Sequence, residues 1–334
     1  MALNSNQKPK VTIVTPSLAA ANNGNWQTVR RWASAIAPIA QVSIVQQWPG
    51  DDSSAEKSDV LIALHARRSA PSISNWYACR GSRGLAVILA GTDLYRDIQF
   101  DLDAQRSMKQ AHSLVLLQEK APEALAPAEQ KKARIIFQST SRRKPLSKTL
   151  RHLNVLMVGH LRPEKAPQTL FQVAHLLKDH RDIYIDHIGR VLEPALGKAA
   201  QQTMIEAPNY RWLAELPHAI VRRRIQRAHL LVHTSAMEGG AHVVMEAVNS
   251  GTPVLASDVD GNIGMLGKNY QGYFPFNNAN VLAERIKECR ATQSDENGLL
   301  NVLSEQCRDR AKLFDPKVEQ HAIQTLVKDL LGVS

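Results

Sequence analysis

"HLLVHTSAMEGGAHVVMEAVNSGTPVLAS" (229–257) carries a strand, a helix and a second strand in one short segment. "HLLVHT" (229–234) is a β-branched apolar run that closes on a small polar loop. Val243, Val244, Ala247 and Val248 then recur at helical spacing and predict a helix over 241–250. "PVLAS" (253–257) starts a new strand after Gly251 and Pro253. Strands joined through a helix run parallel, and strands apolar along their whole length are buried on both faces.

The same alternation extends in both directions. "KVTIVT" (10–15), "VSIVQ" (42–46), "DVLIALH" (59–65), "LAVILA" (85–90), "SLVLLQ" (113–118) and "RIIFQS" (134–139) read as six strands, with helix-length stretches such as 26–38 and 101–111 between them. A polar, basic stretch with a proline over 140–152 reads as a linker. The pattern restarts with "NVLMVG" (154–159), a helix over 166–179, "IYIDHIG" (183–189), and helices near 194–204 and 217–227. The expectation is an α/β chain of two doubly wound parallel-sheet domains, 1–148 and 149–334, with an interdomain cleft. Helices at 278–291, 296–313 and 316–331 follow without intervening strands, the last opened by Pro316.

The chain has 334 residues, a length that favours two cores over one. Its first residues are polar, and no stretch approaches the roughly 20 apolar residues of a membrane span. Cys79, Cys289 and Cys307 are scattered, without metal-ligand or redox spacing. These features predict a cytoplasmic protein. The net charge of +10 attracts anions of any kind. The basic runs "SRRKPLSKTLR" (141–151) and "VRRRIQR" (221–227) lack interleaved aromatics and any nucleic-acid-binding pattern. Each is a solvated face or a polymer-binding surface.

In sheets of this class ligands bind beyond the carboxyl ends of the strands, and the distinctive loops sit there. In "VGHLRPEK" (158–165), Gly159 permits a tight turn, and Arg162 and Lys165 come at the next helix start. Cations there oppose the helix dipole unless an anion such as a diphosphate lies between; the alternative is simple solvation. Glu238 and Glu246 stand eight positions apart. Along a helix that is about 12 Å, the distance from a nucleotide's ribose to the hexose beyond its diphosphate. Carboxylates suit vicinal diols, so Glu246 would take the ribose and Glu238 the sugar, with the amides of Gly239, Gly240 and Ala241 between. The bland alternative makes Glu246 a surface residue and Glu238 a dipole charge. In the first domain, the loop of Asn22, Asn23, Gly24 and Asn25, the segment with His65, Arg67 and Arg68, and the segment with Thr92 and Asp93 present cations and small donors at three strand ends. Trp26 and Trp32, at helical spacing, read as packing residues.

Glu-x7-Glu followed by "SGTPVLAS" resembles the donor-binding signature of retaining glycosyltransferases of the GT-B fold, family-four type. That family carries Gly-Arg-Leu after the strand and a Lys five residues beyond the Arg. Here Lys165 matches, His160 stands at the Arg position, and Arg162 is out of register. The resemblance implies two facing Rossmann-like domains, a nucleotide-sugar donor on the second, an acceptor on the first, and a last helix, about 316–331, crossing back.

The chain also resembles a narrower group, the selenosugar synthases of selenoneine biosynthesis. "NNGNWQTVRRWA", "LHARRSA", "GTDLYRDI", "GHLRPEK", "LPHAIVRRRIQRAHLLVHTSAMEGGAHVVMEAV" and "GNIGMLG" carry this match across both domains. It implies transfer of the sugar of a UDP-sugar, typically UDP-N-acetylglucosamine, to the selenium of selenophosphate, with no metal or other cofactor. Lys165 and Arg162 are then expected on the diphosphate with His160 nearby as donor or acid, and Glu238 on the hexose. Asn23, Gly24, Asn25, His65, Arg67, Arg68, Thr92 and Asp93 are expected around the acceptor. Neither nucleic acid nor stable membrane association is expected on this reading. Two rivals remain: a conventional glycosyltransferase at an anionic membrane, and a basic nucleic-acid-binding protein.

Overall fold

The computed structural model describes residues 8–16, 24–50 and 57–333. They form two compact units, one of residues up to 138 together with 316 onward, the other of 139–315.

The first unit holds a parallel six-stranded sheet: β1 (Lys10–Val14), β2 (Gln41–Val45), β3 (Val60–Leu64), β4 (Leu85–Ile88), β5 (Ser113–Leu116) and β6 (Ala133–Ile135), in the order β2-β1-β3-β4-β5-β6. Val60, Ile62, Leu64, Ala86, Ile88 and Val115 point to one face; Leu61, Ala63, Leu85, Val87, Leu114 and Leu116 point to the other. This is the period of two expected of a strand buried on both sides. The first face is covered by helix Gly24–Ile36 through Val29, Trp32 and Ile36, and by helix Pro316–Leu331 through Ile323, Leu326, Val327 and Leu330. Helices Ala70–Arg80 and Leu102–Gln110 cover the second through Ile73, Trp76 and Met108. Trp32 is thus a packing residue, as its spacing predicts, and its indole Nε1 donates to Glu319 at 2.8 Å. Arg31 donates to the same buried carboxylate at 2.7 and 3.0 Å. Arg134 pairs with Asp329, and Gln324 donates to the Ala35 carbonyl at 2.9 Å. These polar contacts fix the returning helix in register.

The second unit holds β7 (Leu153–Val158), β8 (Ile183–Ile188), β9 (Tyr210–Trp212), β10 (Leu230–His233), β11 (Val254–Ser257) and β12 (Tyr273–Phe274), parallel throughout, in the order β12-β11-β10-β7-β8-β9. β9 and β12 escape the sequence reading because each is too short to show a period. Helices Ala70–Arg80 and Asp260–Leu266 are further additions.

The domain boundary differs from the expected 148. The basic stretch over 140–152 does not link two domains; its first part runs as an extended strap across the second unit. Arg222, 3% exposed, donates to the Thr140 hydroxyl and to the Ser141 carbonyl. Asn249 donates to the Thr140 carbonyl at 2.9 Å and accepts through its own carbonyl from Arg143 N at 2.7 Å. Gln226 reaches the Lys144 carbonyl at 2.7 Å. Backbone groups that would otherwise seek water are satisfied on this unit, which places the boundary at 138/139.

Candidate functional site

In the second unit the strand order reverses between β7 and β10, the position at which doubly wound sheets open a ligand crevice. The loops leaving these two strands contain Gly159 to Lys165 and Thr234 to Ala241. Ala236 N donates to the Glu164 carbonyl at 2.9 Å, and the Thr234 hydroxyl donates to the Lys165 carbonyl at 2.7 Å. The two loops are therefore one structure.

Lys165 Nζ donates to Glu238 Oε1 at 2.5 Å, and His233 Nε2 stands 3.0 Å from the same oxygen. Glu238 is 8% exposed and His233 1%. Burial pushes the Glu238 carboxyl upward, but the Lys165 ammonium and the His233 hydrogen bond outweigh it and hold the group well below the usual carboxylate range. Burial is the largest influence on His233 and lowers its pKa, with Glu238 opposing. The result is a carboxylate anion with a lysine ammonium beside it at the strand ends.

Two glycines let this arrangement close. A Cβ at Gly261 would lie 2.0 Å from the Glu238 carbonyl oxygen, and one at Gly189 would lie 1.9 Å from the Gly159 carbonyl oxygen. The Gly159 carbonyl also accepts from His187 Nε2 at 3.0 Å, while His187 Nδ1 meets the Tyr210 hydroxyl at 2.9 Å. Burial drops the His187 pKa to about 4, so it is a neutral brace under the Gly159 turn. Neither His187 nor Gly261 stands out in the sequence by spacing; each acts through a contact made only in three dimensions.

His160 is half-buried, and its Nδ1 accepts from Arg190 N at 3.1 Å, which puts the neutral ring's proton on Nε2. Burial, then the nearby Arg190, lower its pKa. His160 is a hydrogen-bond donor here rather than an imidazolium. The Arg162 side chain is 41% exposed, and its Nε is 3.9 Å from Glu164.

Gly239 is buried and Gly240 half-buried, but the helix they lead into is His242–Val248, with Ala241 capping it. Glu238 thus lies outside the helix, and the helical ruler expected between the two glutamates does not hold. Loop geometry sets the first half of their separation. Glu246, 7% exposed, pairs through Oε1 with His218 Nε2 at 2.6 Å and lies 3.6 Å from Arg222 Nη1. That hydrogen bond raises the His218 pKa against the opposing effect of burial. The surface reading of Glu246 is excluded by its burial.

In the first unit, Asn22 and Asn23 lie outside the described residues, and Gly24 and Asn25 open helix Gly24–Ile36. The structure brings His65, Arg67 and Asp93 together at the ends of β3 and β4. His65 takes a left-handed φ of 78°, held by Ala66 N donating to Asp93 Oδ2 at 2.8 Å and by Ser69 Oγ donating to the Leu64 carbonyl at 2.6 Å. His65 Nδ1 is 3.0 Å from Asp93 Oδ1. Arg67 Nε lies 3.0 Å from Asp97, a residue that sequence spacing does not single out. Arg68 is exposed and Thr92 half-buried.

Among the described residues, no helix is long and apolar enough to cross a membrane. A surface cavity of about 660 Å³, lined by Gln172, His175 and Asn277 among others, touches neither Lys165 nor Glu238.

Solved structures superimpose on nearly the whole chain. Sucrose-phosphate synthase of Thermosynechococcus elongatus is 17% identical, with a TM-score of 0.76 over 98% of this chain and 100% of that one. Anabaena HepE, solved with UDP and glucose, is 16% identical, with a TM-score of 0.73 over 95% and 99%. A curated relative, glycosyltransferase 1 domain-containing protein 1 of Xenopus tropicalis, is 31% identical over 112 residues, 33% of this chain. The chain spans about a third of that relative's length, since the match covers 32% of it. The family described as "Glycosyl transferases group 1" matches residues 138–308, just over half of the chain and nearly all of the second unit. With two parallel Rossmann-like sheets and a last helix returning to the first, this chain has the GT-B fold and belongs to the group 1 glycosyl transferases.

Proposed function

We propose that this protein is a nucleotide-sugar-dependent glycosyltransferase that moves the sugar of a UDP-sugar, N-acetylglucosamine in the first instance, to the selenium of selenophosphate in the cytoplasm. The observation that carries the donor half is the Lys165–Glu238 pair at the strand-order reversal of the family-matched unit, with Glu246 buried on the helix that follows. HepE, which shares the fold, was solved with UDP and glucose. The acceptor half is supported by the whole-chain resemblance and by the cationic segment His65 to Arg68.

On this reading Lys165, with Arg162, receives the diphosphate, and His160 donates from Nε2. Glu238 accepts hydroxyl hydrogen bonds from the hexose, and Glu246 does so from the ribose. Selenophosphate is already anionic, so its attack on the anomeric carbon needs no general base. The Se–C1 bond forms, the C1–O bond breaks, and UDP leaves onto the cations assembled for it, electrostatic preorganisation being the main catalytic contribution. The phosphoryl group then leaves selenium by hydrolysis, in the site or after release. No metal or further cofactor is required.

Incubation of the full chain with UDP-N-acetylglucosamine should release UDP when selenophosphate is added and not with inorganic phosphate or simple sugars. UDP release with sugar acceptors and none with selenophosphate would replace this reading with that of a conventional glycosyltransferase.

A further inference from the structure

Two arginines in the first unit converge on one buried carboxylate. Asp97, 6% exposed, lies 3.0 Å through Oδ2 from Arg67 Nε and accepts through Oδ1 from Arg96 Nε at 3.3 Å. The arginine side chains are 40% and 50% exposed. His65 Nε2 lies 3.8 Å from Asp97 Oδ2, and both atoms are buried without a hydrogen bond. This cluster stands at the carboxyl ends of β3 and β4, next to the strand-order reversal between β1 and β3.

His65, Asp93 and Asp97 place their ligand-type atoms within 4.8 Å of one another, as a metal site would. Charge decides against a cation. Asp97 faces the guanidinium groups of Arg67 and Arg96, while Asp93 is taken up by His65 Nδ1 at 3.0 Å and by the Ala66 N–H at 2.8 Å. A divalent cation would have to displace the two guanidinium groups from Asp97, whereas an oxyanion would bind their exposed edges without breaking either contact. Two guanidinium groups fixed on one carboxylate are also pre-organised, so little side-chain entropy is lost when an anion binds.

The geometry points to a binding site for a phosphate-type oxyanion, formed by Arg67 and Arg96 with Arg68, in which Asp97 is the positioning residue. Arg96 and Asp97 thereby join the acceptor residues named above. The identification of the anion as the acceptor rests on the proposed function; the site itself does not.

Isothermal titration of the full chain at low salt tests this, with inorganic phosphate, thiophosphate and glucose 1-phosphate as probes. Phosphate and thiophosphate should bind, and Arg67→Gln and Arg96→Gln should each weaken binding roughly tenfold. Arg106→Gln removes the same charge from an exposed pair with Asp103 and should change nothing. Tighter binding of glucose 1-phosphate than of phosphate would make the anion part of a sugar ester, and the reverse would make it free. Asp97→Asn should weaken phosphate binding although it removes a negative charge; a purely electrostatic role would strengthen it and overturn the positioning assignment. Absence of phosphate binding, equal losses in all three arginine variants, or Mn²⁺ or Zn²⁺ binding that His65→Ala abolishes would overturn the site. The calorimetric transition of the first unit, read on every variant, shows that each is folded, and UDP-induced stabilisation of the second unit, read in parallel, keeps failure of the donor reading distinct.

Discussion

Glu238 remains an anion because Lys165 and His233 share one of its oxygens, and removing the lysine leaves a buried carboxylate without its main partner. Lys165→Ala should therefore cost about 3 kcal/mol of stability at neutral pH, measured by urea unfolding. The sign follows from the carboxyl's depressed pKa: the stabilisation is present above its unfolded value of about 4.5 and is lost as pH falls below that. The loss of stability on acidification should accordingly be shallower in Lys165→Ala than in the natural protein. Glu246 offers a second test. The His218 pKa is raised by its hydrogen bond to Glu246, so this contact is complete below pH 6.5 and disappears as pH rises through the raised value. In Glu246→Ala the His218 titration, followed by NMR, should return toward 6.5. The same variant should raise the KM for the sugar donor strongly with a smaller change in kcat. An unchanged donor KM would remove Glu246 from the ribose. The pair of glutamates is visible in the sequence as a spacing; their partners, Lys165 after β7 and His218 and Arg222 on helix His218–Arg227, are brought to them only by the fold.

At the scale of elements, helix Pro316–Leu331 is held by both packing and charge. Glu319 is 2% exposed and accepts from Arg31 and Trp32 on helix Gly24–Ile36. Glu319→Ala leaves a largely buried guanidinium and an indole N–H to find other partners, and should lower stability by about 3 kcal/mol, seen as an earlier midpoint in denaturant. Most long elements were legible in the sequence because their periods are set locally: β3 and β10 by continuous apolar runs, the closing helices by spacing of 3.6. The failures have physical causes. β9 and β12 span three and two residues, and their existence depends on the edge of a sheet to pair with. The 139–149 strap looks like a linker by composition because its partners, Arg222, Gln226 and Asn249, lie far along the chain.

For the whole molecule, each unit has its own sheet and core, and the first is built from both ends of the described chain. Truncation after Asp315 would strip Ile323, Leu326, Val327 and Leu330 from the first sheet's face, at about 2 kcal/mol each, comparable to a domain's entire stability. The truncated protein should lose the calorimetric transition of the first unit and retain that of the second. UDP should raise the Tm of the second transition alone, by mass action. By itself the sequence determined the α/β alternation, the two parallel sheets, the candidate residues Lys165, Glu238 and Glu246, and the basic loops at the strand ends, because hydrophobic period and motif spacing are local properties of a chain. Only the tertiary structure decided the boundary at 138/139, the departure of Glu238 from the helix, the bracing of Gly159 by His187, and the convergence of Arg67 and Arg96 on Asp97. The boundary, the Gly159 brace and the Arg67–Asp97 contact join residues distant in the chain, and contacts of that kind form only in a folded sheet.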